Sequence, residues 1–283
     1  MRHASVSAVI PVYNGERFIA EAVTSVLTQS EPPLECLVVD DGSTDGTRDA
    51  LVQFENDIRL LVTQNCGVAA ARNLGIRHAK GDLVAFLDAD DVWYSSKLGA
   101  QLPVFEDPSV GLVYGALEIV DVNGKVVGGM EAPSSASAVV RTICMEPPPV
   151  ALAQTGVVRR RLLTGLGGFD ERLSTSADCD LVARLGSVTE VAAVGQVVAG
   201  YRQHDSQMHL DLDRFEADMR LVLRKAFRNE TPPWATRKTV WRARSRLEWA
   251  VARARASRGE LFRAAKHAGR ALPLKLAELT VAP

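Results

Sequence analysis

The stretch that most restricts this chain is Leu83 to Asp91, LVAFLDADD, an apolar run that ends without a spacer in three carboxylates. Five consecutive apolar residues read as a strand buried on both faces, so the carboxylates emerge together at its carboxyl end. In an open α/β sheet that edge is where ligands bind. Asp88, Asp90 and Asp91 would repel one another there unless a cation or a hydrogen-bond network compensates, and a hard divalent ion bridging a diphosphate is the usual solution. The alternative is a strand end whose aspartates cap the next helix.

The residues upstream repeat one pattern. Val6 to Val12 is a short apolar strand, after which Asn14-Gly15 turns the chain into a helical pattern from Glu16 to Leu27. Leu34 to Val39 is a second strand ending in Asp40-Asp41-Gly42-Ser43, where Ser43 or Thr44 is placed to cap a helix reaching about Glu55. Ile58 to Val62 is a third, followed by Gln64-Asn65-Cys66-Gly67 and an Ala-rich helix from Val68 to Ala79. Such alternation predicts an α/β fold with a mostly parallel sheet and helices on both faces. The carboxyl ends of strands one, two and four then carry Tyr13, Asp40 with Asp41, and the aspartate triplet on a single edge.

After Trp93 the pattern changes. Lys97 to Phe105 reads as helix, Val110 to Val120 as strand, and Val122-Asn123-Gly124-Lys125 as a hairpin turn. Residues 131–149, rich in Pro, Ser and Ala, read as a long functional loop on the acceptor side. Ser176-Ala177-Asp178-Cys179-Asp180 leads into an amphipathic helix from Leu181 to Gly186, and Val191 to Tyr201 reads as one or two strands, followed by His204. From Leu210 onward the pattern is helical, with breaks at Thr231-Pro232-Pro233, Gly259 and Pro273. The expected organisation is one unit over 1–209, with a first half to about residue 92 and a second over 93–209, and a helical extension over 210–283.

Charge separates the two parts. From Trp234 onward there are 12 Lys/Arg against 3 Asp/Glu, leaving 21 against 31 before it. Trp234, Trp241 and Trp249 recur at intervals of 7 and 8, on one side of a helix. They either pack on the body or, with Arg242, Arg246, Arg253 and Arg255, hold the chain at an anionic membrane surface. The basic residues lack a recognition motif, which argues against nucleic acid as a partner. Cys36, Cys66, Cys144 and Cys179 have neither zinc-site nor disulfide-framework spacing, which fits reduced thiols in the cytoplasm. No apolar run approaches the roughly 20 residues needed to span a bilayer, so the expected location is cytoplasmic, at most peripheral on the inner face of the plasma membrane.

Six motifs in order resemble glycosyltransferase family 2, the inverting nucleotide-sugar-dependent transferases with the Rossmann-like GT-A fold. They are VIPVYN (Val9 to Asn14), VVDDGSTDGT (Val38 to Thr47), NCGVAAARNLG (Asn65 to Gly75), FLDADD (Phe86 to Asp91), GGFDE (Gly167 to Glu171) and YRQH (Tyr201 to His204). The resemblance covers residues 5 to about 205. It implies a nucleotide base beside Pro11, Tyr13 and Asp41, and Arg72 near the nucleotide. Asp88 matches the aspartate that contacts ribose or metal, Asp90 the principal metal ligand with Asp91 close by, and Asp178 the catalytic base. His204 matches a histidine that reaches the metal or diphosphate. The family's usual Glu-Asp-x-Asp pattern has Ala177 in place of its glutamate here.

Chemistry agrees with these roles. Charge building on a departing diphosphate calls for Mg²⁺ or Mn²⁺ as Lewis acid, and an alcohol nucleophile needs a carboxylate within about 3 Å to accept its proton. For Asp178 a helix N-cap role is compatible with that of base, a surface histidine is the alternative for His204, and Asp40 reads as a structural cap. The resemblance implies transfer of a sugar from a nucleoside diphosphate, UDP or dTDP rather than GDP, to a saccharide, lipid-linked or small-molecule hydroxyl acceptor during polysaccharide, glycolipid or natural-product glycosylation. A homodimer is compatible with the helical extension. The alternatives are a non-catalytic sugar-nucleotide binder or scaffold, and a sugar-phosphate nucleotidyltransferase. The latter needs a Gly-rich basic loop where Pro11 to Arg17 reads PVYNGER.

Overall fold

The structure, a computed structural model, describes residues 4–204, 211–227 and 232–280. The first half comprises β1 (Val6–Val12), α1 (Ile19–Leu27), β2 (Glu35–Asp40), α2 (Thr47–Leu51), β3 (Ile58–Val62), α3 (Val68–His78), β4 (Leu83–Phe86), β5 (Val92–Trp93) and α4 (Lys97–Gln101). There follow β6 (Val110–Val120), β7 (Val126–Met130), α5 (Ser135–Ile143), α6 (Leu152–Thr155), β8 (Val157–Arg159), α7 (Arg160–Gly165), α8 (Ala177–Leu185) and β9 (Glu190–Arg202). Three helices complete the described chain: α9 (Leu212–Ala226), α10 (Arg237–Ser257) and α11 (Leu261–Thr280).

The strands form a single mixed sheet in the order β3-β2-β1-β4-β8-β6-β9-β5, with β7 beside β6. Strands β1 to β4 pair in parallel, Val9 lying opposite Leu37 on one side and Phe86 on the other. The antiparallel β8 joins this half to β6 and β9, which run parallel to each other. Strand alternation divides the core between the two faces. Val9, Leu37, Val39, Val84 and Phe86 pack with α3, α5, α8, α9 and α10, while Ala8, Ile10, Val38 and Ala85 pack with α1 and α4. No described helix is long and apolar enough to cross a membrane.

Several elements depart from the sequence expectations. Helix α1 starts at Ile19 rather than Glu16, because the preceding turn is held from outside. Asn14 adopts a positive φ of 52°, and the amides of Asn14, Gly15 and Glu16 donate to Ser43, Thr47 and Asp45 of the neighbouring loop. Residues 131–149 are not a continuous loop: α5 lies within them and buries Ala138, Val139, Thr142 and Ile143. Those four positions carry an i, i+1, i+4, i+5 helical stripe that a compositional reading hides. Helix α8 starts at Ala177, so Asp178 sits inside its first turn, with Ser176 at the N-cap. Helix α11 continues past Pro273, although Gly259, with a φ of 77°, does separate it from α10. Leu210 and Thr231, where a helix and a break are expected, lie outside the described residues.

The tryptophan stripe also divides. Trp234 precedes α10 and donates to Ser187 Oγ (3.1 Å), whereas Trp241 and Trp249 on α10 are 37% and 38% exposed. Three of the four arginines expected to face a membrane bind groups of the body, although only Arg255 is buried. Arg242 pairs with Glu146 through two bonds of 2.5 Å, Arg246 donates to the Cys144 carbonyl (3.0 Å), and buried Arg255 binds Asp213, Glu216 and Glu260.

One contact fixes the GGFDE turn to the sheet. Buried Asn73 on α3 donates through Nδ2 to the Phe169 carbonyl and Glu171 Oε1 (2.9 Å each), and its Oδ1 accepts the Phe169 amide (2.8 Å). Gly168 has a φ of 71°, and a Cβ there would lie 2.2 Å from Asn73 Oδ1. Asn73→Leu leaves a buried amide and carbonyl unpaired and should cost about 2–4 kcal/mol. Urea denaturation checks this: a midpoint unchanged from wild type would show that the clamp does not hold the turn.

Candidate active site

At the carboxyl edge of the parallel strands, Tyr13 is 49% exposed just beyond β1, and Pro11 is buried within that strand. Asp40 is a structural cap. Its Oδ1 accepts the Ser43 amide (2.8 Å) and its Oδ2 pairs with Arg48 (2.5 Å). Asp41 is buried as well. Its oxygens accept the amides of Cys66 (2.9 Å) and Gly67 (2.7 Å), holding the loop that leads into α3.

Arg72, expected near a nucleotide, lies buried against two carboxylates. It donates to Asp88 Oδ1 (2.5 Å) and Asp178 Oδ1 (3.1 Å), and its guanidinium carbon lies 5.3 Å from the centroid of the Phe169 ring. Helix α6 completes the arrangement from the other side. The Ala153 amide donates to Asp178 Oδ2 (3.0 Å) and Gln154 Nε2 to Asp88 Oδ2 (2.9 Å). The Asp178 side chain remains 25% exposed, so one carboxylate is held in place and still open to solvent. Burial raises its pKa above the ordinary carboxylate value, with Arg72 acting against the rise and Asp88 adding to it.

A second group forms where β9 ends. His204 Nε2 lies 2.9 Å from Asp90 Oδ2, and its ring sits 5.4 Å from that of Phe18. Buried Arg202 donates to the Asp90 carbonyl (2.8 Å) and to Glu21 Oε2 of α1 (2.7 Å). Its backbone amide donates to Asp91 Oδ1 (2.8 Å). Asp91, expected beside the nucleotide sugar, is 1% exposed and joins the DADD turn to β9. Burial, with Asp90 and Asp88 nearby, raises its pKa well above the ordinary range, and among the described residues its Oδ2 has no hydrogen-bond partner.

These residues fit a hard divalent cation. Asp90 and His204 offer an oxygen and a nitrogen at one point beside an excess of carboxylate charge. Among the described residues no cluster of three or more His, Cys, Asp and Glu groups forms a closed cage. Two side chains completed by substrate oxygens is the arrangement that suits Mg²⁺ with a diphosphate.

Sequence reasoning gave no role to Gln154, the Ala153 amide, Arg202 or Glu21. Arg202 lies within the YRQH motif, where a basic residue two positions before a ligand histidine is a usable signal. Gln154 and Ala153 carry no such signal, since α6 is only four residues long.

Among solved structures, a mannosyltransferase from Pyrobaculum calidifontis in complex with GDP-Man and Mn²⁺ superposes with a TM-score of 0.67 at 23% identity, over 99% of this chain and 80% of that one. The architecture is therefore that of a GT-A glycosyltransferase. Residues 7–143 match the model of glycosyl transferase family 2, and the chain belongs to that family. Over 130 residues it is 38% identical to the UDP-Glc:alpha-D-GlcNAc-diphosphoundecaprenol beta-1,3-glucosyltransferase of Escherichia coli, a match covering 45% of this chain and 51% of that protein. An uncharacterised glycosyltransferase of Nostoc is 32% identical over 219 residues, 72% of this chain and 66% of its own. The matches thus span about half to two thirds of these relatives' lengths.

Among the described residues, Arg72 is the cation that pairs with both Asp88 and Asp178. Arg72→Met should move the Asp178 titration further upward, because an opposing charge is lost while burial remains. It should also lower stability by about 3 kcal/mol. A ¹³C NMR titration of the aspartate carboxyls reads the first effect, and an Asp178 titration that stays put or falls would refute the coupling.

Proposed function

We propose that the chain is an inverting, metal-assisted glycosyltransferase that moves a sugar from a nucleoside diphosphate to an acceptor hydroxyl in the assembly of cell-surface polysaccharide or glycolipid. The observation that carries this reading is Asp178: an oriented, partly open carboxylate with a raised pKa, across from the aspartates of the DADD turn. The E. coli relative is named for a β-1,3 linkage to a lipid-linked acceptor. A β linkage is what a single displacement gives from an α-linked donor.

In this reading the base of the donor lies against Tyr13 and the loop that Asp41 holds, with UDP or dTDP preferred to GDP. Asp88 would face the ribose, and Asp90 and His204 would hold Mg²⁺ or Mn²⁺. The bound ion supplies Lewis-acid stabilisation of the departing diphosphate. The acceptor oxygen forms its bond to the anomeric carbon as the bond to the diphosphate oxygen breaks, and the acceptor proton passes to Asp178. Arg72 and the Ala153 amide keep Asp178 aimed during this transfer. The raised pKa makes Asp178 a stronger base than an exposed aspartate and also sets the acid limit of activity.

Asp178→Asn and Asp90→Asn should each lower transfer at least about 100-fold with the fold intact, since general-base and metal-ligand losses are of that order. Release of nucleoside diphosphate from a panel of UDP, dTDP and GDP sugars with Mn²⁺ measures this and identifies the donor. Full activity in either variant would sink the assignment, and no release from any donor would favour a binder without catalysis. Because the base must be deprotonated, kcat should fall as pH drops through the Asp178 pKa. The acid limb should therefore lie above the ordinary aspartate value of about 3.9; a limb at or below that value would argue against Asp178.

A further inference from the structure

Helix α11 packs through one stripe and leaves the opposite one bare. Ala264, His267 and Ala271 are buried at i, i+3, i+7 spacing, and His267 Nδ1 lies 2.7 Å from Glu248 Oε2 of α10. Phe262, Ala265, Lys266 and Gly269, at i, i+3, i+4 and i+7, form the outward stripe, and all are exposed. Phe262 is 87% exposed and Leu261 beside it 71%, more than any other large apolar side chain described. Burying a phenylalanine or leucine side chain is worth about 1.5–3 kcal/mol, so leaving two adjacent ones in water calls for an apolar partner.

Charge specifies what that partner is. From residue 232 to 271 the acidic residues are Glu248 and Glu260 alone. Glu248 is buried against Arg220 and His267, and Glu260 pairs with Arg255 and Arg263. No described carboxylate of α10 or α11 is left to oppose Lys266 and Arg270, which border the apolar stripe. Arg242, Arg246 and Arg255 are engaged by carboxylates of the body, while Arg237, Lys238, Arg244 and Arg253 of α10 are exposed along with Lys266 and Arg270 of α11, so the surface of both helices is basic. A bilayer with anionic lipid complements both properties at once: headgroups take the cations, and the acyl boundary takes Phe262 and Leu261.

We infer that the outward face of α11 docks on an anionic lipid bilayer, with Phe262 and Leu261 entering the headgroup boundary and Lys266 and Arg270 binding lipid phosphates. The surface would bring the chain to a lipid-borne acceptor, but it depends on no assignment within the catalytic edge. Membrane binding and catalysis can therefore fail separately.

The test is co-sedimentation of the full chain with vesicles of phosphatidylcholine mixed with phosphatidylglycerol, against phosphatidylcholine alone. Wild type should bind the anionic vesicles and not the neutral ones, and less as salt rises. Lys266→Gln with Arg270→Gln should weaken binding about 25-fold, about fivefold per charge, equivalent to about 1 kcal/mol each. Leu261→Ser with Phe262→Ser should weaken it at least about tenfold, while Phe262→Trp should retain it. Circular dichroism and nucleoside diphosphate release should remain at wild-type levels in all three variants. Absence of wild-type binding, or binding unmoved by either double variant, would overturn the inference. So would light scattering that shows a dimer dissociated by the Leu261/Phe262 change with vesicle binding intact, since the stripe would then cover a second copy.

Discussion

Four carboxylates share one sheet edge in this protein, and two buried arginines make that arrangement stable. Asp88, Asp90, Asp91 and Asp178 come from two distant parts of the chain, and burial drives Asp90, Asp91 and Asp178 toward the neutral form. Arg72 lies between Asp88 and Asp178, while Arg202 binds the Asp90 carbonyl and gives its amide to Asp91. A guanidinium suits both positions because its planar fork can serve two acceptors at once, which an ammonium on a flexible stem does less well. The compensation is uneven. Asp178 is held but partly open, Asp90 has a histidine opposite, and Asp91 is left with one unsatisfied oxygen. That graded environment allows chemically identical side chains to serve different purposes.

The fold supplies the arginines from opposite directions. Arg72 comes from α3, which packs on β1 and β2 and is clamped to the GGFDE turn through Asn73. Arg202 is the last residue of β9, a 13-residue strand that lies between its parallel partner β6 and the short antiparallel β5. Helix α1 adds Glu21 against Arg202, and α6 adds Gln154 against Asp88. Elements far apart in sequence thus meet at the DADD turn. A shift in any one of them would misplace a charge as well as a packing contact.

What the sequence made legible follows from this division. Strands β1 to β4 and the edge bearing Tyr13, Asp40 with Asp41, and the aspartate triplet are local: each strand is a short apolar run and each turn follows immediately. The helix in residues 131–149 was hidden because its apolar stripe is only four residues wide among Pro, Ser and Ala. The work of Gln154 and Arg202 was hidden for a different reason. Their partners lie 66 and 181 residues away, at Asp88 and Glu21, and no periodicity encodes such pairings. Paired arginines are especially deceptive, since half-exposed Arg242 and buried Arg255 read as surface charge until Glu146, Asp213 and Glu216 appear opposite them.

The absence of the family's glutamate at position 177 has a physical account in the same terms. Ala177 is buried in the core cluster with Leu173, Leu181 and Phe169, so a carboxylate on that backbone would enter an apolar layer unless the neighbours moved. The family pattern places a second acid beside the proposed base. Here Asp178 takes its orientation from a cation, Arg72, and a backbone amide, that of Ala153. Both are donors, and neither adds negative charge to an edge that already holds four carboxylates. A glutamate at this position would have raised the like-charge repulsion that Arg72 offsets, so alanine is the residue that this charge balance favours. The departure from the pattern is therefore consistent with a retained base that is positioned by different means.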